Sequence, residues 1–393
     1  MTVLGRARLR AVLLVAPLII FLAVFFAWPL VSVLTASVRN EGIIAALPKT
    51  GQAIAGWDGT SLPDSTVQTA MIDDLRGIDR QTLGSAVGRL NSAVPGFRSL
   101  ISATASAAND IAPGTVADLI KIDERWADLR FWRAIQSGSR LYTDRNLLAA
   151  IDLQRSDDGT IGTIPSGRSA NRTILTRTFF LSAIITLSCL AIGLPYAMIA
   201  ASFGGWKRNA MLMAVLLPLW TSLLVRTAAW YILLQDNGVI NGFLTYLGLI
   251  NEPLPLIFNR LGVVIAMTHV LLPFMVLPIF SVVSTIPKNL LPAAASLGAN
   301  PLRAFWHVLL PLTLPGILSG VLLVFMVAIG YYITPALVGG PNDQMISATI
   351  AFYALETANW GMAGALGLIL LLITVILYTL YGRLTRTTAT MGV

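Results

Sequence analysis

The 393-residue chain is 55% hydrophobic and only 12% charged, about half the charged share of soluble domains, which excludes an ordinary soluble globular protein. Its net charge of +8 is unevenly spread: residues 39–172 hold 15 acids and 15 bases, leaving 4 acids and 12 bases elsewhere. Those remaining bases sit mostly at the ends of apolar segments, where membrane topology uses them, so the basic balance gives no reason to expect nucleic acid as a partner.

A membrane-spanning helix needs about 20 apolar residues to cross roughly 30 Å of hydrocarbon, and six segments qualify. After a short N-terminus (1–10), the first span covers 11–38. It is too long for the core of a cleavable signal peptide and reads as an uncleaved anchor. Residues 39–175 then form an insertion of soluble character. Its segments Ser65–Arg76, Leu100–Asn109 and Val116–Arg133 suit helices, separated by Pro63, Pro95 and Pro113. In the last, Leu119, Ile122, Trp126, Leu129 and Trp132 or Arg133 recur at helical spacing, and a small α-helical cap is expected. Asp123, Glu124 and Asp128 are alternately a lure for a cationic solute or, with Arg125, Arg130 and Arg133 between them, a salt-bridged surface. The remaining spans are 176–203, 209–234, 261–283, 309–333 and 361–382, with a cytoplasmic loop at 284–308 and a cytoplasmic C-terminus at 383–393. Pro17, Pro29, Pro195, Pro218, Pro273 and Pro278 lie inside spans, where neighbouring helices tolerate them.

The short loops set the orientation. Arg6, Arg8, Arg10, Lys207, Arg208, Lys288, Arg303, Arg383 and Arg386 fall on one side with no acid. Asp236, Glu252, Asp343 and Glu356 fall on the other with only Arg260. The positive-inside rule puts both termini and the 284–308 loop in the cytoplasm and the insertion outside.

Chemistry of other kinds is missing from the sequence. Cys189 is the single cysteine, and His269 and His307 stand apart with no metal-ligand spacing, so no metal site is expected. The chain has no GxxxxGK[ST] phosphate loop, HExxH or GxSxG. It is expected not to be an enzyme, and any hydrolysis that drives it must occur on another chain.

The stretch Pro292-Ala-Ala-Ala-Ser-Leu-Gly-Ala-Asn300, followed by Pro301 and a run to Gly316, carries the most information. Ala293, Ala294 and Gly298, then nine residues, then Val308, Leu310 and Pro311 resemble the EAA signature of permease subunits of ATP-binding-cassette (ABC) importers. Pro292 stands where the signature has glutamate, so an ion pair made by that glutamate does not carry over. Trp220–Trp230, Leu234–Asn241, His269–Pro278 and Gly330–Ile346 are similar to segments of spermidine/putrescine-type permeases. The resemblance implies an all-α membrane protein with the six-helix type I importer architecture, here with a helical extracytoplasmic insertion between helices 1 and 2. It implies a multi-pass protein of the bacterial inner membrane that forms half of a translocation path for a small organic solute, a polyamine or related compound. The implied partners are an ABC ATPase dimer, which holds the ATP and Mg, a second homologous permease, a periplasmic solute-binding protein and membrane lipid. It also implies that Pro292, Ala293, Ala294, Ala295, Gly298, Ala299, Asn300 and Pro301 form the ATPase-coupling loop.

Candidates for the path are Trp220, Arg226, Trp230, Tyr231, Tyr331 and Tyr332, with Asp236, Asp343 and Glu356 as outer-face acids. An arginine within a span is costly and functional by default; alternatively Arg226 reaches outward or pairs with Asp236. His269 reads as an interhelical hydrogen-bond partner. No Asp or Glu falls within any span, so a polyamine would pass by aromatic faces and carbonyls, although those aromatics also suit an interface belt. A gradient-driven secondary carrier is the main rival, yet the buried acids or paired broken helices that it would use are not evident. An importer of the same family for opines or amino-acid derivatives, and an assembly protein or sensor, are the others.

Overall fold

A computed structural model describes residues 3–39, 41–112, 118–155, 160–165, 167 and 170–390. Pro113 and the start of the Val116 segment lie outside the described residues, as do the first two and last three. The chain divides into two units, Met1–Thr163 with Asn359–Ala365 and Ile164–Ala358 with Leu366–Val393.

In the first unit, α1 (Val3–Leu22) runs through a π turn, Ala23–Ala27, into α2 (Trp28–Ala36). The Trp28 amide bonds back to Ala23 O, and the wider turn accommodates Pro29, which has no N–H to give. The insertion follows as α3 (Glu41–Ala46), α4 (Pro48–Ile54), α5 (Ser65–Leu75), α6 (Arg80–Ala93), α7 (Phe97–Ala108), α8 (Leu119–Ile122), α9 (Leu129–Gly138) and α10 (Arg145–Ala150). It ends in an antiparallel hairpin, β1 (Leu153–Arg155) with β2 (Ile161–Thr163), in which Gln154 faces Gly162. The purely helical cap expected from sequence is thus corrected by one small sheet.

The insertion has its own core, including Met71, Leu100, Phe97, Ile135 and two tryptophans in contact. The rings of Trp126 and Trp132 lie 4.7 Å apart. Trp126 Nε1 donates to Thr104 Oγ1 at 2.9 Å and Trp132 Nε1 to Trp126 O at 2.9 Å, so neither buried N–H is left unpaired.

The amphipathic segment around Trp126 is not one helix. Asp118, Asp123 and Asp128 each turn a carboxylate onto the amide two residues on, Ile120, Arg125 and Arg130. Each starts a new short turn in place of continuing the last, the usual competition of Asp with helix backbone. Asp123 and Asp128 also pair with Arg125 and Arg130, both at 2.7 Å. The side-chain hydrogen bond from Arg125 holds the Asp123 carboxyl below its ordinary 3.8, and Arg130 does the same for Asp128. A folded-state value below the unfolded one adds stability that is present above the unfolded value and lost as pH falls through the folded one. The insertion is therefore expected to lose stability below about pH 4, and Asp123→Asn to flatten that fall; thermal unfolding of the purified protein from pH 7 to 3 checks it.

The first turn of α21 (Trp360–Thr390) closes this unit. A Cβ on Gly361 would meet Ala36 O at 3.2 Å and one on Gly364 would collide with Val33 O, the close backbone approach that small residues give membrane helices. Gly364→Ala is expected to destabilise by about 1–3 kcal/mol, read as a lower melting temperature in detergent.

The second unit is built on three long helices, α11 (Asn171–Ser202), α15 (Arg260–Val283) and α18 (Leu310–Gly330), which pack on one another. Leu181, Ile185, Cys189, Met267, Leu271, Met275 and Val324 fill the space between them. Gly193 and Gly320 both lie against Met275, where an added Cβ would sit 2.9 and 2.8 Å from its side chain. Between α11 and α15 come α12 (Gly205–Leu216), α13 (Leu223–Leu233) and α14 (Val239–Tyr246). Between α15 and α18 come α16 (Leu290–Ser296) and α17 (Pro301–Ala304); α19 (Ile333–Val338) and α20 (Ile346–Ala351) lead to α21.

Among the described residues five helices are long and apolar enough to cross a membrane. A sixth arises if the bent pair Gly205–Trp220 and Leu223–Leu233 counts as one span. Sequence reads 209–234 as one continuous span; the structure bends it by 101° at Thr221-Ser222. Pro218 sits in a 3-10 turn, Thr221 Oγ1 bonds Pro218 O, and Ser222 Oγ accepts from Val225 N and starts α13 afresh. The first arm, 16 residues, is about 24 Å long at 1.5 Å per residue, short of a full hydrocarbon crossing.

Candidate coupling loop and translocation path

The loop between α15 and α18 is held by its own backbone. Leu290 N bonds Pro287 O and Ala293 N bonds Asn289 O. Pro292 occupies the first turn of α16, where no intrahelical donor is needed, so it costs the helix nothing. At the far end Gly298 N bonds Ala295 O and Ala299 N bonds Ala294 O, the paired bonds of a Schellman stop. This requires a left-handed residue, and Gly298 has φ +84°. Asn300 then caps α17 by accepting from Arg303 N at 2.8 Å, and Pro301 takes the first helical position. All eight coupling-loop residues named from sequence thus lie in one turn-linked pair of short helices.

This frame presents side chains that the sequence motif does not single out. Leu297 is 90% exposed, and Leu291, Leu302 and Trp306 are exposed as well. Lys288, Arg303 and His307 are the only ionisable groups between Val283 and Leu310. The loop is an apolar knob with a basic rim. A π turn, Phe305–Leu309, joins it to α18, with Leu310 N bonded to Phe305 O just before Pro311.

The path candidates separate. Trp220 is 80% exposed and ends the arm before the bend. Tyr231 packs edge-on against Phe258 at 5.9 Å, and Tyr332 is exposed. Trp230 donates from Nε1 to His269 Nδ1 at 3.1 Å, with ring centres 5.3 Å apart, so His269 is a bond between α13 and α15. Arg226, in the first turn of α13, makes no ion pair with Asp236, and its Nε is shielded and without a partner. Arg226 lies one helical turn before Trp230, on the face of α13 that meets His269. Asp236 and Glu356 are exposed. Asp343 is buried instead, 3.4 Å from Arg260 Nε, beside a strut in which Phe258 N bonds Val338 O. It braces the loop before α15 against the one after α19 and is not an open acid.

Sequence reading missed Thr227 and Thr334, whose hydroxyls meet at 3.0 Å, both fully buried, and fasten α13 to α19. They lie 107 residues apart, so nothing local signals the pair.

The sequence is similar to known transport proteins. Residues 193–390 match the family model described as "Binding-protein-dependent transport system inner membrane component". The spermidine/putrescine transport system permease protein PotB of Escherichia coli is 34% identical over 213 residues, 54% of this chain and 78% of PotB. The inner membrane ABC transporter permease protein YdcU of the same organism is 36% identical over 187 residues, 44% of this chain and 59% of YdcU. Among solved structures, a chain of a bacterial alginate ABC transporter, in complex with an alginate pentasaccharide-bound periplasmic protein, superposes with TM-score 0.45 at 18% identity. That superposition covers 55% of this chain and 78% of the other. The family match spans half of the sequence, the relatives are permeases and the helices are of membrane length: the chain belongs to the binding-protein-dependent transport system inner membrane components and is a multi-pass permease subunit of an ABC importer.

Proposed function

We propose that this subunit carries a small nitrogen-rich organic solute of the polyamine class, handed over by an extracytoplasmic binding protein and moved at the expense of ATP hydrolysed by a partner ATPase. The observation that carries the ATPase coupling is the 290–309 loop. It is an exposed apolar knob on a backbone frame whose turns are satisfied internally, built to be pushed as a body. Charge asymmetry of the short loops supports placing that knob and both termini in the cytoplasm. The solute class is supported by the resemblance to PotB, a spermidine/putrescine permease by name. A second permease subunit completes the path, to which this chain contributes Arg226, Trp230 and Tyr331. Nucleotide binding then biases the helices between outward- and inward-open arrangements.

ATP-dependent putrescine uptake into proteoliposomes that contain the whole importer tests this reading. Uptake should require the ATPase and the binding protein. Uptake that continues with the ATPase omitted and an ion gradient supplied would make the chain a secondary carrier.

A further inference from the structure

We propose that Arg226, His269 and the first turn of α13 form a carboxylate-binding site in the translocation path, a reading that rests on the path assignment above. The side-chain groups that Arg226 and His269 leave open are both donors. Arg226 Nε is removed from solvent and bonded to nothing, and a guanidinium has no acceptor to give. His269 accepts from Trp230 at Nδ1, so the proton of the neutral ring lies on Nε2, again a donor. Arg226 also sits at the helix end where the backbone dipole is positive, with no acid in that turn. Cations favour the opposite end of a helix, so fold stability does not explain this placement.

Neither side chain offers an acceptor to an ammonium group. The site suits a planar anion of two oxygens, which a guanidinium fork matches bidentately. Half-helix N-termini that open onto a membrane path serve carboxylates in the same way. This chain does not supply the group itself, because no Asp or Glu lies in its spans and Asp343 is already paired with Arg260. The carboxylate therefore comes from outside the chain, either on the solute or from the facing permease subunit.

Putrescine and ornithine form a matched pair of probes, since ornithine is putrescine with one added carboxylate. In proteoliposomes of the complete importer, Arg226→Gln is expected to lower uptake at least tenfold. If the solute brings the anion, ornithine uptake falls and putrescine uptake does not. If the facing subunit brings it, uptake of any transported solute falls alike, and Arg226→Lys treated with a water-soluble carbodiimide forms an amide cross-link between the two permeases. Should the wild-type importer carry neither probe, the solute class proposed above fails, while the cross-link and the basal ATPase rate still decide this site. Uptake within twofold of wild type for both probes and no cross-link would overturn the proposal, as would an unchanged ATPase rate with no cross-link where neither probe is carried.

Discussion

A Leu297→Glu protein is expected to insert normally and to lose about tenfold or more of its ATP-driven uptake, the size of effect typical of a buried anchor at an interface. Leu297 projects from the end of α16 with 90% of its surface free, and its side chain takes no part in the Schellman bonds from Gly298 and Ala299. A carboxylate there leaves the loop folded but brings a charge into the apolar contact, where desolvation is costly. Pro292→Glu is the control. An acid in the first turn of a helix is favourable, so that variant should keep its uptake. Equal uptake by Leu297→Glu and wild type would remove the knob from the coupling mechanism.

Trp126→Ala is expected to destabilise the insertion by about 3–5 kcal/mol. Trp126 is fully buried, packs at a tilt against Trp132 and gives its N–H to Thr104. The loss opens a cavity and leaves the Thr104 hydroxyl without this donor. Protease treatment of membrane vesicles should cut the variant inside residues 41–163 while α11, α15 and α18 stay intact. An insertion as resistant as wild type would show that its core does not depend on the tryptophan pair.

The spans were legible because apolar length is a summed property of long windows, and no single residue decides it. α15 begins at Arg260 and ends at Val283, against 261–283 read from hydropathy. The turn between α16 and α17 was legible for a local reason: Gly298, Asn300 and Pro301 are each the residue that their backbone position demands. The bend at Thr221-Ser222 was hidden, because a serine that caps a new helix and one that packs inside an old one look alike in sequence. The donor cluster was half visible. Arg226 stands out as a charge in a span, but the Trp230–His269 bond joins residues 39 apart, and only the packing of α13 on α15 brings them together. Asp343 misled for the same reason, since its partner Arg260 lies 83 residues away.

The two π turns that precede Pro29 and Pro311 carry a consequence for the geometry of the helices they interrupt. Each wide turn accommodates one residue more than an α-helical turn would, and one residue is about 100° of rotation at 3.6 residues per turn. The face that looks inward beyond Leu309 is therefore offset by roughly that angle from the face that an unbroken wheel drawn from Pro301 would give. Trp306, on the exposed knob, and Thr313 and Ile317, buried in the bundle, belong to two different angular phases of what hydropathy reads as one rod.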